Sequence, residues 1–168
     1  MNKPKLNKFL AILPILLVVT LDQISKYLIL NVVKLGEIQK IEISPIFDLT
    51  MVWNYGVSFG ALRADSPIGR WGLVVLSLVI SGLFLNWLLK SERKITILAL
   101  GLVIGGALGN MIDRIRFGAV ADFLDFSGLY FPWVFNIADS GVVLGAAILL
   151  IDMLITPEND KNLKNKDV

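Results

Sequence analysis

The sequence predicts an α-helical integral membrane protein of four transmembrane helices with a small extracytoplasmic β-sheet. Three observations lead there. Four apolar runs are each long enough to cross a bilayer as a helix, which takes about 20 residues. Hydrophobic residues make up 55% of the chain and mean hydropathy is +0.72, above what a soluble domain carries. Between the first and second runs, apolar and polar side chains alternate with the period of a strand.

The first span runs from about residue 9 to 33, after a basic tail with Lys3, Lys5 and Lys8. That start imitates a secretory signal peptide. No small-x-small cleavage site follows "FLAILPILLVVTL", and the apolar run continues past Lys26, so the reading is a retained span. An outer β-region follows, about 38–62. In "KIEIS" and "FDLTMVW" the residues Ile41 and Ile43 face one way, as do Phe47, Leu49, Met51 and Trp53. "NYG" at 54–56 is a turn signal. The second span, 71–89, has Trp71 and Trp87 near its ends, where interfacial aromatics belong, and Ser66-Pro67 ahead of it reads as an N-cap with proline at N1. The third span covers 95–114 and the fourth 137–155. Residues 1–156 read as a single domain, and 157–168 as a polar cytoplasmic tail.

Orientation follows from Lys and Arg. An even number of spans puts both termini on one side. That side carries nine basic residues, including those of the "KSERK" loop at 90–94, against six on the other. The excess places the termini in the cytoplasm and the β-region outside.

The chain has no Cys and no His. That removes disulfides, Cys nucleophiles, Ser-His-Asp triads and His-bound zinc together. A net charge of only +2 argues against nucleic acid as a partner. Acid–base chemistry then falls to Asp, Glu, Lys and Tyr.

Acids inside a membrane usually have partners or a task. Asp22 and Lys26 share a helix face at i, i+4, a spacing suited to a neutralised pair. Gly101, Gly105 and Gly109 form a face for close helix packing. Just beyond, Asn110, Asp113 and Arg114 read as an anchoring network. Asn136 is a natural N-cap for the fourth span, with Asp139 at N3 like a capping box. Asp122 reads on the bland view as an exposed loop acid, yet its "ADFLDF" setting is apolar, and burial raises a carboxyl pKa. Asp125 reads as a bystander and Asp152 as an idle interfacial acid. Topology adds a constraint: only one connection joins spans three and four, so Asp122 and Asp139 lie at the same membrane face. Two carboxylates held together share a proton; one activates water while the other polarises a carbonyl. Two alternatives remain at this point. One is a serine–lysine peptidase using Ser58 or Ser140 with Lys26. The other is a small transporter relaying charge through Asp22, Lys26 and Asp113, which the lack of an inverted repeat disfavours.

Five fragments occur in order: "DQISK" at 22–26, "NYGVSFG" at 54–60, "GGALGNMIDR" at 105–114, "VADF" at 120–123 and "FNIAD" at 135–139. Together they resemble the lipoprotein signal peptidases, or type II signal peptidases, from span one to the start of span four. The resemblance implies an aspartic endopeptidase of the bacterial inner membrane. It would remove signal peptides from prolipoproteins just before a cysteine bearing a diacylglyceryl group. The implied catalytic dyad is Asp122 and Asp139. Supporting positions fall on Asp22, Lys26, Asn54, Gly56, Asn110, Asp113, Arg114 and Asn136. Ala121 stands where many members carry Val. Neither metal nor cofactor is implied. The implied partners are diacylated prolipoproteins, membrane lipid and globomycin-type inhibitors, and a monomer is expected.

Overall fold

The computed structural model describes residues 9–56 and 66–155. Ser58, Phe59, the end of the expected outer β-region and the polar tail lie outside the described residues. Four helices are long and apolar enough to cross a membrane. The first is α1, Ile12–Tyr27, which continues as a π-helical turn over Leu28–Val32. A short helix, α2 (Leu35–Ile38), leads to strands β1 (Lys40–Ser44) and β2 (Phe47–Asn54). The second and third spans are α3 (Pro67–Lys90) and α4 (Lys94–Phe117); then come β3 (Val120–Asp125), β4 (Val134–Phe135) and the fourth span, α5 (Ile137–Ile155).

Local chemistry sets several boundaries. Ser66 Oγ accepts from Gly69 N at 3.1 Å with proline at N1, so α3 starts where the serine–proline pair places it. The third span runs past its expected end at 114 to Phe117, and Gly118 closes it with φ +85°, a conformation that glycine adopts without Cβ strain. Arg70 adds a second cap: its Nε donates at 2.7 Å to Arg114 O, which Gly118 N also reaches, and its Nη2 to Ile115 O at 2.6 Å, a carbonyl of the last turn.

Helix α4 is the central post. Of its most apolar stretch 56% is buried, against 28% or less in the other spans. Lipid supplies no hydrophobic drive between helices, so close backbone approach must do the work. A Cβ on Gly101 would stand 2.7 Å from Pro14 Cγ, one on Gly105 3.0 Å from Ile15 O, and one on Gly109 2.8 Å from Asp22 Oδ2. The GxxxGxxxG face therefore seats α1. A different glycine set seats α5: Gly106 lies against Ala138 O and Val142, and Gly145 sits where a Cβ would be 2.6 Å from Ala99 O. Gly106→Ala is expected to lower the unfolding temperature of detergent-solubilised protein, at a cost of about 1–3 kcal/mol. Gly82→Ala, where nothing lies within 4 Å, is the matched control and should leave it unchanged.

The sheet is larger than the sequence suggested. It has four antiparallel strands in the order β1-β2-β3-β4. The connection between spans three and four thus contributes two strands, and Asp122 is a buried strand residue rather than a loop acid. The sheet rests on the π-helical turn and α2: Met51, Ala121 and Phe123 pack with Ile29 and Leu35. Burying side chains the size of Met51 and Phe123 contributes roughly 1.5–3 kcal/mol each.

A β-bulge aims the strands. Leu49 pairs with Leu124 and Val52 with Asp122, so β2 advances one residue more than β3. Asn54, opposite Val120, then shares a face with Asp122. In an unbroken register Met51 would lie opposite Asp122, and Asn54 would point away. The expected common face of Phe47, Leu49, Met51 and Trp53 is interrupted after Leu49 for this reason.

Two acids read as idle are engaged. Asp125 accepts from Thr50 Oγ1 at 2.6 Å and from Ser127 N at 2.9 Å; these bonds hold its carboxyl below the usual range despite the opposing effect of burial. Asp152, at the end of the bundle far from the sheet, is buried and bonds Arg93 Nη2 at 2.5 Å and Thr96 Oγ1 at 2.9 Å. It ties α5 to the start of α4.

Candidate active site

Asp122 comes from β3 and Asp139 from the first turn of α5, and both line one cavity of about 590 Å³. Asn136 and Asp139 make the reciprocal capping bonds: Asp139 N donates to Asn136 Oδ1 at 2.9 Å, and Asn136 N to Asp139 Oδ2 at 3.4 Å. The cap that starts the helix also fixes the carboxylate. Asn136 Nδ2 donates to Asp122 Oδ1 at 2.6 Å, and Asn54 Nδ2 donates to Asp122 Oδ2 at 3.1 Å. Asn110 Nδ2 donates to Asp139 Oδ1 at 2.8 Å.

Only 2% of Asp122 is exposed. Burial, and next the nearby charge of Asp139, push its carboxyl up to about 7, while the amides of Asn54 and Asn136 oppose the rise. Asp122 therefore holds a proton near neutral pH. The pair has the makings of a general acid and a general base that share one proton.

Behind the pair lies a buried ionic knot. Lys26 Nζ is 2.8 Å from Asp22 Oδ2 and 2.8 Å from Asp113 Oδ2, with all three residues 2% exposed or less. Asp22 Oδ1 also accepts from Ala138 N at 3.0 Å, and Asp113 Oδ2 from Ala121 N at 3.1 Å. Each acid thus holds the backbone beside one of the two cavity aspartates. Asp113 pairs with Lys26 and leaves its neighbour Arg114 to other work. Arg114 Nη2 donates to Gly56 O at 2.6 Å, and Gly56 N donates to Asn54 Oδ1 at 3.0 Å. All ten residues singled out from sequence are thereby gathered at the sheet end of the bundle.

One member of the cluster escaped the sequence reading. Gln23 Nε2 donates to Asp113 Oδ1 at 3.0 Å and to Asp22 Oδ2 at 3.2 Å. A glutamine beside Asp22 in an apolar span was the available signal. The cavity's aromatic wall is likewise new. Phe131, Trp133 and Phe135 line it, with the Phe131 ring 5.1 Å from Trp133 and 5.8 Å from Phe135. On the other flank Val142, Val143, Leu144 and Ala147 continue the cavity along α5.

Residues 14–155 match the family model of signal peptidase (SPase) II. The chain belongs to the signal peptidase II family. It is thus a membrane-embedded aspartic peptidase that removes signal peptides from prolipoproteins. A lipoprotein signal peptidase of Caulobacter vibrioides is 50% identical over 143 residues, 84% of each chain. That of Rhizorhabdus wittichii is 44% identical over 153 residues, 90% of this chain and 89% of the relative. Among solved structures, a bacterial membrane enzyme determined by the in meso method at 2.3 Å superposes with a TM-score of 0.78 at 30% identity, over 89% of this chain and 90% of its own. A second, at 1.9 Å, superposes with a TM-score of 0.73 at 31% identity, over 88% of this chain and 94% of its own. For a signal peptidase II, a cavity with two carboxylates at its head and an apolar floor along a membrane helix suits a greasy peptide substrate.

Proposed function

We propose that Asp122 and Asp139 are the catalytic dyad, acting on prolipoproteins whose cysteine at the cut carries a diacylglyceryl group. The observation that carries this reading is that both carboxylates face one cavity whose remaining walls are largely apolar. Asp139 takes a proton from water as the oxygen attacks the scissile carbonyl. Asp122, protonated near neutrality, donates its proton to the carbonyl oxygen. The tetrahedral gem-diol collapses as the C–N bond breaks: the leaving amine takes the proton from Asp139, and a hydroxyl of the new carboxylic acid returns its proton to Asp122. Asn110, Asn136 and Asn54 orient the two acids; Asp22 and Asp113, joined by Lys26, hold the backbone beside them, and Arg114 anchors the strand end through Gly56. The serine–lysine alternative loses its base, because Lys26 is paired with two acids while Ser140 Oγ donates to Asn136 O at 2.9 Å.

The membrane setting is part of the same reading. Residues 1–156 act as one unit in the bacterial inner membrane, as a monomer contacting lipid. Both termini are cytoplasmic, consistent with the Lys and Arg excess on that side, and the site opens at the outer face. Globomycin-type inhibitors would compete for the same cavity.

The test is cleavage of a purified diacylated prolipoprotein, with product masses locating the cut before the lipidated cysteine. Ser140→Ala should retain most activity, and a chelator should change nothing. Equal cleavage of the unlipidated precursor would remove the proposed substrate class.

The pH profile supplies a further expected result. Asp122 titrates at about 7. Above that pH Asp122 has lost its proton and none remains for the carbonyl. The value of kcat/KM should fall on the alkaline side, approaching about tenfold per pH unit. A flat profile to pH 9 would contradict the role given to Asp122.

A further inference from the structure

Two carboxamides stand between the aspartates, and each can present either a donor or an acceptor. Which end faces which acid decides the direction of every hydrogen bond in the site. Two groups that can only donate fix the choice. The backbone N–H of Asp139 occupies Asn136 Oδ1, so Asn136 must turn its nitrogen to Asp122. The Lys26 ammonium donates to Asn110 Oδ1 at 3.3 Å, and Asn136 Nδ2 donates to the same oxygen at 3.1 Å. Asn110 must therefore turn its nitrogen to Asp139.

We propose that Lys26 is a positioning residue that sets the polarity of this relay, so that Asn110 delivers an N–H to Asp139. This goes beyond neutralising Asp22 and Asp113. Without the ammonium, Asn110 loses one of the two donors that pin its oxygen. Its oxygen is then held by Asn136 alone, and the amide turns more readily to offer that oxygen to Asp139, which must carry a proton to answer it. The dyad would enter the reaction with its base already protonated. Other charges facing Asp139 are Asp22 from α1, Arg114 from α4 and Asp122 from β3, while Asp113 of α4 faces Lys26. None of these carboxylates supplies a donor to Asn110 when ionised, and Arg114 Nη1 reaches its backbone oxygen, not its side chain.

The inference rests on the dyad reading above, and the experiment separates the two. Lys26→Met alone strips a buried knot of its cation, so the informative variant is Lys26→Met with Asp113→Asn, which leaves the net charge of the knot unchanged. It is compared with Asp113→Asn alone, with Asn110→Leu and with Lys26→Arg, all as full-length protein on a diacylated prolipoprotein. For the double variant and for Asn110→Leu, kcat should fall about tenfold to a hundredfold with KM little changed. The acid limb of the kcat/KM profile should move up by about one pH unit. Lys26→Arg, which keeps a donor, should restore the wild-type limb. A double variant whose limb coincides with that of Asp113→Asn overturns the relay. So does an Asn110→Leu limb that stays at the wild-type position, a result that decides the matter even if the double variant does not fold. Asp122→Asn and Asp139→Asn are run alongside. Activity in either removes the dyad itself, whereas two inactive variants beside unmoved limbs remove only the relay.

Discussion

Asp139→Asn and Asp122→Asn are each expected to lower the cleavage rate by about 10⁴-fold, with folding retained. The two losses have different causes. An amide at 139 cannot take a proton from water. An amide at 122 cannot release one to the carbonyl. The effects should not add, because neither acid does its work without the other, so the double variant should be about as slow as either single one. Rates from quantitative product analysis, with far-UV circular dichroism to verify folding, check this.

Asp122→Asn should also change stability, and the sign is informative. The Asp122 carboxyl is raised from 3.8 to about 7 in the folded protein. The folded state therefore keeps a proton that the unfolded chain has released. Stability from this group is fully present below pH 3.8 and declines as pH rises to about 7. The variant lacks that decline, so its advantage over the wild type should grow across this interval, by on the order of a few kcal/mol. Part of that gain is offset. The donors of Asn54 and Asn136 both point at residue 122, and an amide nitrogen there would oppose one of them, at about 1–3 kcal/mol. Thermal unfolding at pH 5 and pH 8 measures the difference. A gap that narrows towards pH 8 would contradict the raised value.

The second large effect is Lys26→Met. Asp22 and Asp113 are both fully buried and meet the same ammonium. Removing it leaves two uncompensated acids among the helices, which costs about 3–5 kcal/mol for a buried pair broken on one side. The damage should spread to activity, since Asp22 holds Ala138 N and Asp113 holds Ala121 N, the residues beside Asp139 and Asp122. Adding Asp113→Asn should recover much of the unfolding temperature. A single variant as stable as the wild type would mean that lipid or water already compensates the pair.

The placement of these residues was legible to different depths. Asp22 with Lys26 could be read as a pair because helical spacing alone brings i and i+4 together. Asn136 with Asp139 could be read as a capping box for the same reason: the interaction closes within one turn. The glycine face of α4 was legible as a packing surface, though which helix it received was not. "GVVLG" at 141–145, which carries the same spacing into α5, went unread. Partners distant in sequence stayed hidden. Nothing in a spacing shows that Asp113 turns to Lys26 while Arg114 turns to Gly56, because adjacent helical residues diverge by about 100° and meet different neighbours.

The sequence by itself determined that this chain crosses a membrane four times, that its acid–base chemistry is left to Asp, Glu, Lys and Tyr, and that Asp122 and Asp139 share one membrane face. Those conclusions depend on composition, length and local periodicity, which are properties of the chain alone. Tertiary structure decided the rest. The connection holding Asp122 became two strands only because β2 offered an edge to pair with, a long-range hydrogen-bonding choice that no local pattern encodes. The bulge before Val52 then turned Asn54 towards Asp122. The direction of each hydrogen bond around the dyad was set last, by donor-only groups from α1 and α5 converging on two amides of α4 and the α5 cap. A sequence names those amides; only their neighbours in space decide which end they present.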